Sequence, residues 1–168
     1  MDITDLILND HHRQRQQFAV LDDVDPGDTE RLGLIWGELA DFLEVHAAAE
    51  EAVFYPALLR VGDPDREETK DAIADHNDIR DAVREANGQD VGSRPWWDAV
   101  GKARAANTDH MGEEEDEGLK DFRRHASLEE RHDLAVQFEA SKTPPAAATL
   151  DESDKDPEEY IEKVEGDA

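Results

Sequence analysis

Cysteine is absent from the chain, which excludes disulfides, thiolate metal ligands and cysteine nucleophiles at once. Any bound metal must therefore take nitrogen and oxygen ligands. Long apolar runs are missing as well: nothing approaches the roughly 18–20 residues of a membrane span, and the opening Met1-Asp2-Ile3-Thr4-Asp5 lacks the basic-then-apolar order of a secretion signal. A cytoplasmic location is expected. Positive charge is scarce, with 18 Lys and Arg against 44 Asp and Glu and a net charge of −26. Such a field repels phosphate backbones and anionic lipid heads, so neither nucleic acid nor a membrane is an expected partner. The acidic excess runs along the whole chain, a halophilic pattern whose self-repulsion a high-salt cytoplasm screens. The alternating Val, Ile and Thr runs that strands require are also missing.

What is present is helical periodicity, in 168 residues that are 38% hydrophobic, enough for one domain and its core. The spacing predicts an all-α chain. A first helix over 2–24 places Ile3, Ile7, His11, Phe18 and Leu21 on one face, and Asp25-Pro26-Gly27-Asp28 ends it. A second, over 28–60, carries a stripe through Leu39, Leu43, His46, Glu50, Val53 and Ala57. Pro56 removes the hydrogen bond to the Ala52 carbonyl and is expected to kink the last turn unless the helix tightens there. Gly62-Asp63-Pro64 is expected to close the hairpin. A third helix over 65–87 aligns Thr69, Ala72, His76, Ile79 and Val83 and ends at Asn87-Gly88. A fourth starts near Pro95 and runs through Trp96, Val100, Ala103, Asn107, His110 and Glu114, with Gly112 and Gly118 weakening its second half. Ser127-Leu-Glu-Glu130 matches a capping box, which predicts a short fifth helix over 127–140. Residues 1–140 thus read as the domain. Residues 141–168, Pro- and Ala-rich and then strongly acidic, are expected to form a disordered acidic tail, with Tyr160, Ile161 and Val164 making at most a transient turn.

One pattern occurs twice. Asp10-His11 precedes His46-Ala-Ala-Ala-Glu50, and Asp75-His76 precedes His110-Met-Gly-Glu-Glu114. The separations, 35 residues from His11 to His46 and 34 from His76 to His110, describe one helical hairpin written twice. Residues i and i+4 share a helix face, so His46 with Glu50 and His110 with Glu114 each aim a nitrogen and a carboxylate at one point. Helices packed roughly 8–10 Å apart bring inward side chains from all four together. Two cations about 3.5–4 Å apart, bridged by the glutamates, satisfy all six groups, with His11 and His46 on one and His76 and His110 on the other. The rival is a metal-free polar network. A single His-x-x-x-Glu is usually a surface pair, but four histidines in core seams each need a buried partner. Other candidates are plainer: His12 is an alternative to His11 but points away, His125 and His132 face solvent, and Trp96 and Trp97 pack. Glu51 and the Glu113–Glu117 run apart from Glu114 make a solvated face, with Glu115 held as the one neighbour in reserve.

These residues resemble the hemerythrin family, in its HHE cation-binding branch. The resemblance covers about residues 1–140 and rests on Asp-His in the first and third helices, His-x-x-x-Glu-Glu in the second and fourth, and Glu50-Glu51-Ala-Val-Phe-Tyr-Pro56. Ferritin-like di-iron proteins use the order Glu-x-x-His and are less similar. The resemblance implies an up-and-down antiparallel four-helix bundle around two non-haem irons, with His11, His46, His76 and His110 as terminal ligands and Glu50 and Glu114 as bridges. Manganese or zinc would accept the same donors, and the preference for iron comes from the resemblance. Oxygen-carrying hemerythrins have a further histidine where this chain has Arg80. That implies one iron short of a protein ligand, its place open to water or to a carboxylate such as Glu115. The function implied is binding of oxygen or a related small ligand, nitric oxide or peroxide. The alternatives are a di-iron peroxidase or ferroxidase, or a module for sensing or storing iron or oxygen. No protein partner is indicated.

Overall fold

Helix starts follow the capping chemistry of the sequence. The Asp2 side chain accepts from the Thr4 amide and opens α1 (Ile3–Asp23), and Asp28 accepts from Arg31 to open α2 (Thr29–Ala49). The structure, a computed structural model, describes residues 1–61 and 66–166, and every regular element among them is helical. A π-helical stretch, Glu50–Phe54, joins α2 to α3 (Tyr55–Val61), and α4 spans Arg66–Asn87. Ser93 caps α5 (Arg94–Asp116), which has Pro95 in its first turn. Next come α6 (Gly118–His125), α7 (Leu128–Ser141, capped by Ser127), the single turn α8 (Pro144–Ala147) and α9 (Pro157–Gly166). The expected Gly62-Asp63-Pro64 turn lies outside the described residues. No helix among the described residues is long and apolar enough to cross a membrane.

Packing joins α4 to α5, α1 to α2 and α7, and α9 to α4, with α2 also meeting α4 and α1 meeting α5. The core is split into two apolar clusters. One holds Phe18, Leu21, Leu43, Ile79, Val83, Trp96 and Ala103, the other Ile3, Ile7, Ala49, Phe54, Ile73, Phe122 and Phe138. Along α1 the chain passes from Ile7 in one cluster through His11 to Phe18 in the other, and along α4 from Ile73 through His76 to Ile79. The histidines thus occupy a polar layer with hydrocarbon above and below.

Two expectations need correction. The second helix, expected to kink or else tighten at Pro56, instead widens before it, so that the Tyr55 amide bonds the Glu50 carbonyl five residues back. In that wide register the group facing Pro56 is the Glu51 carbonyl, which Pro56 has no N–H to satisfy. The Tyr160 hydroxyl donates to it instead, at 2.5 Å. The fourth helix runs through His110 and Glu114 as expected and ends at Asp116, with Gly118 starting α6. Finally, the tail is not disordered. Asp156 caps α9 through its side chain to the Glu159 amide, Tyr160 and Ile161 are buried, and Asn77 exchanges two hydrogen bonds with the Lys155 backbone. Few apolar residues suffice there because polar anchors from the bundle hold the segment in place.

Because Ile161 is fully buried in the core cluster that holds Ile3, Phe54 and Phe138, Ile161→Ala should destabilise the protein by about 2–4 kcal/mol. Urea unfolding checks this, and a midpoint equal to the parent's would return the segment to a detached tail.

Candidate metal centre

Six predicted ligands converge in the polar layer. His11, His46, Glu50, His76, His110 and Glu114 are each at most 4% exposed. The ligand atoms of His11, His46 and Glu50 lie within 4.8 Å of one another, and so do those of Glu50, His76 and His110. Glu50 joins the two groups: its Oε1 lies 3.0 Å from His46 Nε2 and 3.9 Å from His11 Nε2, and its Oε2 lies 3.4 Å from His76 Nε2 and 4.0 Å from His110 Nε2. Glu114 shares a helix face with His110 but reaches across, placing Oε2 3.3 Å from His11 Nε2.

The outer nitrogens explain why the inner ones point inward. His11 Nδ1 meets Glu115 at 2.9 Å, His46 Nδ1 meets Asp10 at 3.1 Å, and His76 Nδ1 meets Glu51 at 2.8 Å. His110 Nδ1 faces Asp75 at 3.6 Å, too long for a hydrogen bond but close enough to orient the ring. An Nδ1–H that donates to a carboxylate leaves the Nε2 lone pair for the centre. Basic residues in turn hold three of these acids: Lys142 on Asp10, Arg15 on Glu115, and Arg80 with Lys155 on Glu51.

At the centre, His76 Nε2 and His110 Nε2 stand 3.0 Å apart. The Nε2 atoms of His11 and His46 and both carboxylate oxygens of Glu50 and Glu114 have no hydrogen-bond partner. Lone pairs and carboxylates crowded in a dry layer need a cation between them, a proton or a metal ion. Burial pushes the His46 imidazole down, but Glu50 and Asp10 override it and hold it at about 9. His110 is likewise depressed by burial and lifted by Asp75, Glu50 and Glu114 to about 10. Without metal, protons on His46 and His110 supply positive charge at the centre near neutral pH. Nitrogen and carboxylate donors in this number suit a divalent iron, manganese or zinc ion.

A sequence model of the Hemerythrin HHE cation binding domain matches residues 2–136. The chain belongs to this hemerythrin family. No curated protein and no solved structure matches it. Within the HHE domain, some residues fall where the sequence did not place them. Glu115, held in reserve as a ligand, does not face the cluster; it braces the outer side of His11 and pairs with Arg15. Glu51, read as part of a solvated face, is 3% exposed and braces His76. Arg80 is 1% exposed and turned toward Glu51 and Glu44 rather than toward the centre. Tyr55 was overlooked. Its hydroxyl lies 3.5 Å from His76 Nε2, and burial, then Glu114 and Glu50, push its pKa well up. The repeated Asp-His pairs carried a signal for Asp10 and Asp75, whereas Tyr55 looked like any core aromatic. His12, His125 and His132 are exposed, and Trp96 is buried against Trp36.

His46 and His110 titrate in the metal-free domain above an unfolded value of about 6.5. Their charged forms stabilise the fold fully below that value, and the contribution is lost as pH rises through about 9 and then about 10. Chelator-treated protein should therefore lose stability between pH 7 and 10, on the order of a few kcal/mol. Metal-bound protein, its imidazoles already neutral, should lose much less. Urea titrations across that range check both, and a flat metal-free profile would contradict proton occupancy of the centre.

Proposed function

We propose that the chain is a hemerythrin-like di-iron protein that binds oxygen or a related small ligand, nitric oxide or peroxide, inside an up-and-down antiparallel four-helix bundle made by α1, α2, α4 and α5. The observation that carries this reading is the set of partnerless buried ligand atoms arranged as two groups about one shared carboxylate. His11 and His46 would hold one ion and His76 and His110 the other, with Glu50 between them and Glu114 alongside. The chemistry that two bound irons supply is exchange of electrons with the small ligand. The protein's own part is to fix the donors through the outer carboxylates, to exclude bulk water with the two apolar clusters, and to offer the Tyr55 hydroxyl, which stays protonated, as a hydrogen-bond donor. Its acidic surface fits a cytoplasmic protein, and the halophilic setting supplies the screening salt.

A second reading, turnover of peroxide or of ferrous ion, is favoured by one observation. Arg80 turns away from the cluster, so the half centred on His76 and His110 has no further protein donor from that position and lies beside Tyr55. Repeated turnovers with peroxide or added ferrous ion separate it from reversible binding.

Protein purified without chelator should contain two irons per chain, with visible absorption that changes on reduction. His46→Ala with His110→Ala should lose most of the metal, since each half forfeits a ligand and binding falls by at least about 10–100-fold. Metal content unchanged by the double substitution, or absent from the parent, would defeat the reading.

A further inference from the structure

A narrow cavity of about 40 Å³ lies between α3, α4 and the junction of α5 with α6, and its lining changes from floor to rim. The floor is His110 and Glu114, both buried. Tyr55 and Thr69 form the wall. Around the rim stand Glu68, Asp71, Glu113 and Glu117; Asp71, Glu113 and Glu117 are exposed and Glu68 is half-buried. No Lys or Arg is among the described residues that line it.

Two further observations point to a ligand. Thr69 is fully buried, yet its Oγ1 has no hydrogen-bond partner, and both oxygens of Glu114 are in the same condition. Gly118 also matters, because a Cβ there would come within 2.6 Å of Glu68 Oε1. A bare backbone at the α5–α6 break lets the Glu68 carboxylate lie over the cavity. The volume admits one or two waters or a single partly dehydrated ion, and no organic molecule of ordinary size.

We propose that this cavity is the route by which a divalent cation reaches the centre. Glu68, Asp71, Glu113 and Glu117 collect the hydrated ion, and Thr69 and Glu114 offer oxygen ligands as it sheds water on the way to His110. Carboxylates around a cleft with low-dielectric walls concentrate counter-ions and raise their rate of arrival. Oxygen donors are what a hard hydrated cation exchanges for its waters. The proposal rests on the metal-centre reading above, and its own content is the path rather than the destination.

Cobaltous ion is a suitable probe because it is not oxidised in air on the timescale of mixing and its absorption reports binding. Asp71→Asn, Glu113→Gln and Glu117→Gln together should slow cobalt uptake by about tenfold or more at low salt, with the same number of ions bound at the endpoint. The parent's uptake should also slow more steeply with added salt than the variant's. A control carrying Glu30→Gln, Asp41→Asn and Asp133→Asn has the same net charge and should load at close to the parental rate. Equal slowing in both proteins, or none in the first, overturns the route, as does an identical salt dependence. A parent that binds no cobalt at the endpoint overturns the centre itself, a failure seen in stoichiometry and not in rate.

Discussion

The rest of the structure depends on one electrostatic constraint: carboxylates and imidazole lone pairs converge in a layer buried away from bulk water. Uncompensated, such a cluster carries a desolvation penalty of several kcal/mol per charge. The penalty is tolerable only when positive charge occupies the centre, so the affinity of the site for cations and the stability of the fold are the same quantity viewed from two sides. This also accounts for the disposition of the chain's few basic residues. In a protein with 44 acidic groups, Arg15, Arg80, Lys142 and Lys155 are placed on the acids that brace the histidines. Spent elsewhere on the surface, exposed pairs of this kind contribute at most about 1 kcal/mol.

The duplicated motif acquires its meaning from which half braces which. Asp10 and Asp75 act within their own halves, on His46 and His110 respectively. The second glutamate of each His-x-x-x-Glu-Glu acts across the halves: Glu51 braces His76, and Glu115 braces His11. Each hairpin thus supplies an orienting group that the other needs. Neither half can set its own histidines alone, so the site forms only when both hairpins are packed. A repeat that looks like two independent half-sites is an interlocked pair.

Local and periodic features were legible in the sequence. Helical stripes placed His11, His46, His76 and His110 in the core seam, and the i, i+4 spacing placed Glu50 and Glu114 with them, because helix geometry is set within a few residues. The cap at Ser127 was of the same kind. What was misread depended on contacts remote in sequence. Glu51 and Glu115 each follow an inward glutamate and lie about 100° around the helix from it, where periodicity alone predicts solvent. Their partners are His76 and His11, from the other half of the repeat. The tail was misjudged for the same reason. By composition it cannot fold alone, yet Asp156-Pro157-Glu158-Glu159 had the form of a helix start, and the groups that anchor it belong to α4 and to the π-helical stretch.

Arg80 ties these observations together. The resemblance to oxygen-carrying hemerythrins implies a ligand histidine at that position. The guanidinium instead pairs with Glu51 at 2.9 Å, and Lys155 from the tail approaches the other oxygen of the same carboxylate at 2.7 Å. The hydrogen bond from His76, and then Arg80 and Lys155, hold the Glu51 carboxyl below its usual range despite its burial. An ionised Glu51 keeps the proton on His76 Nδ1 and the lone pair of Nε2 directed at the centre. The widened turn around Pro56 exposes the Glu51 carbonyl to Tyr160, so the backbone of the same residue is fixed by the tail as well. Arg80 thus supplies a countercharge that helps orient His76 through Glu51, and the tail completes the clamp.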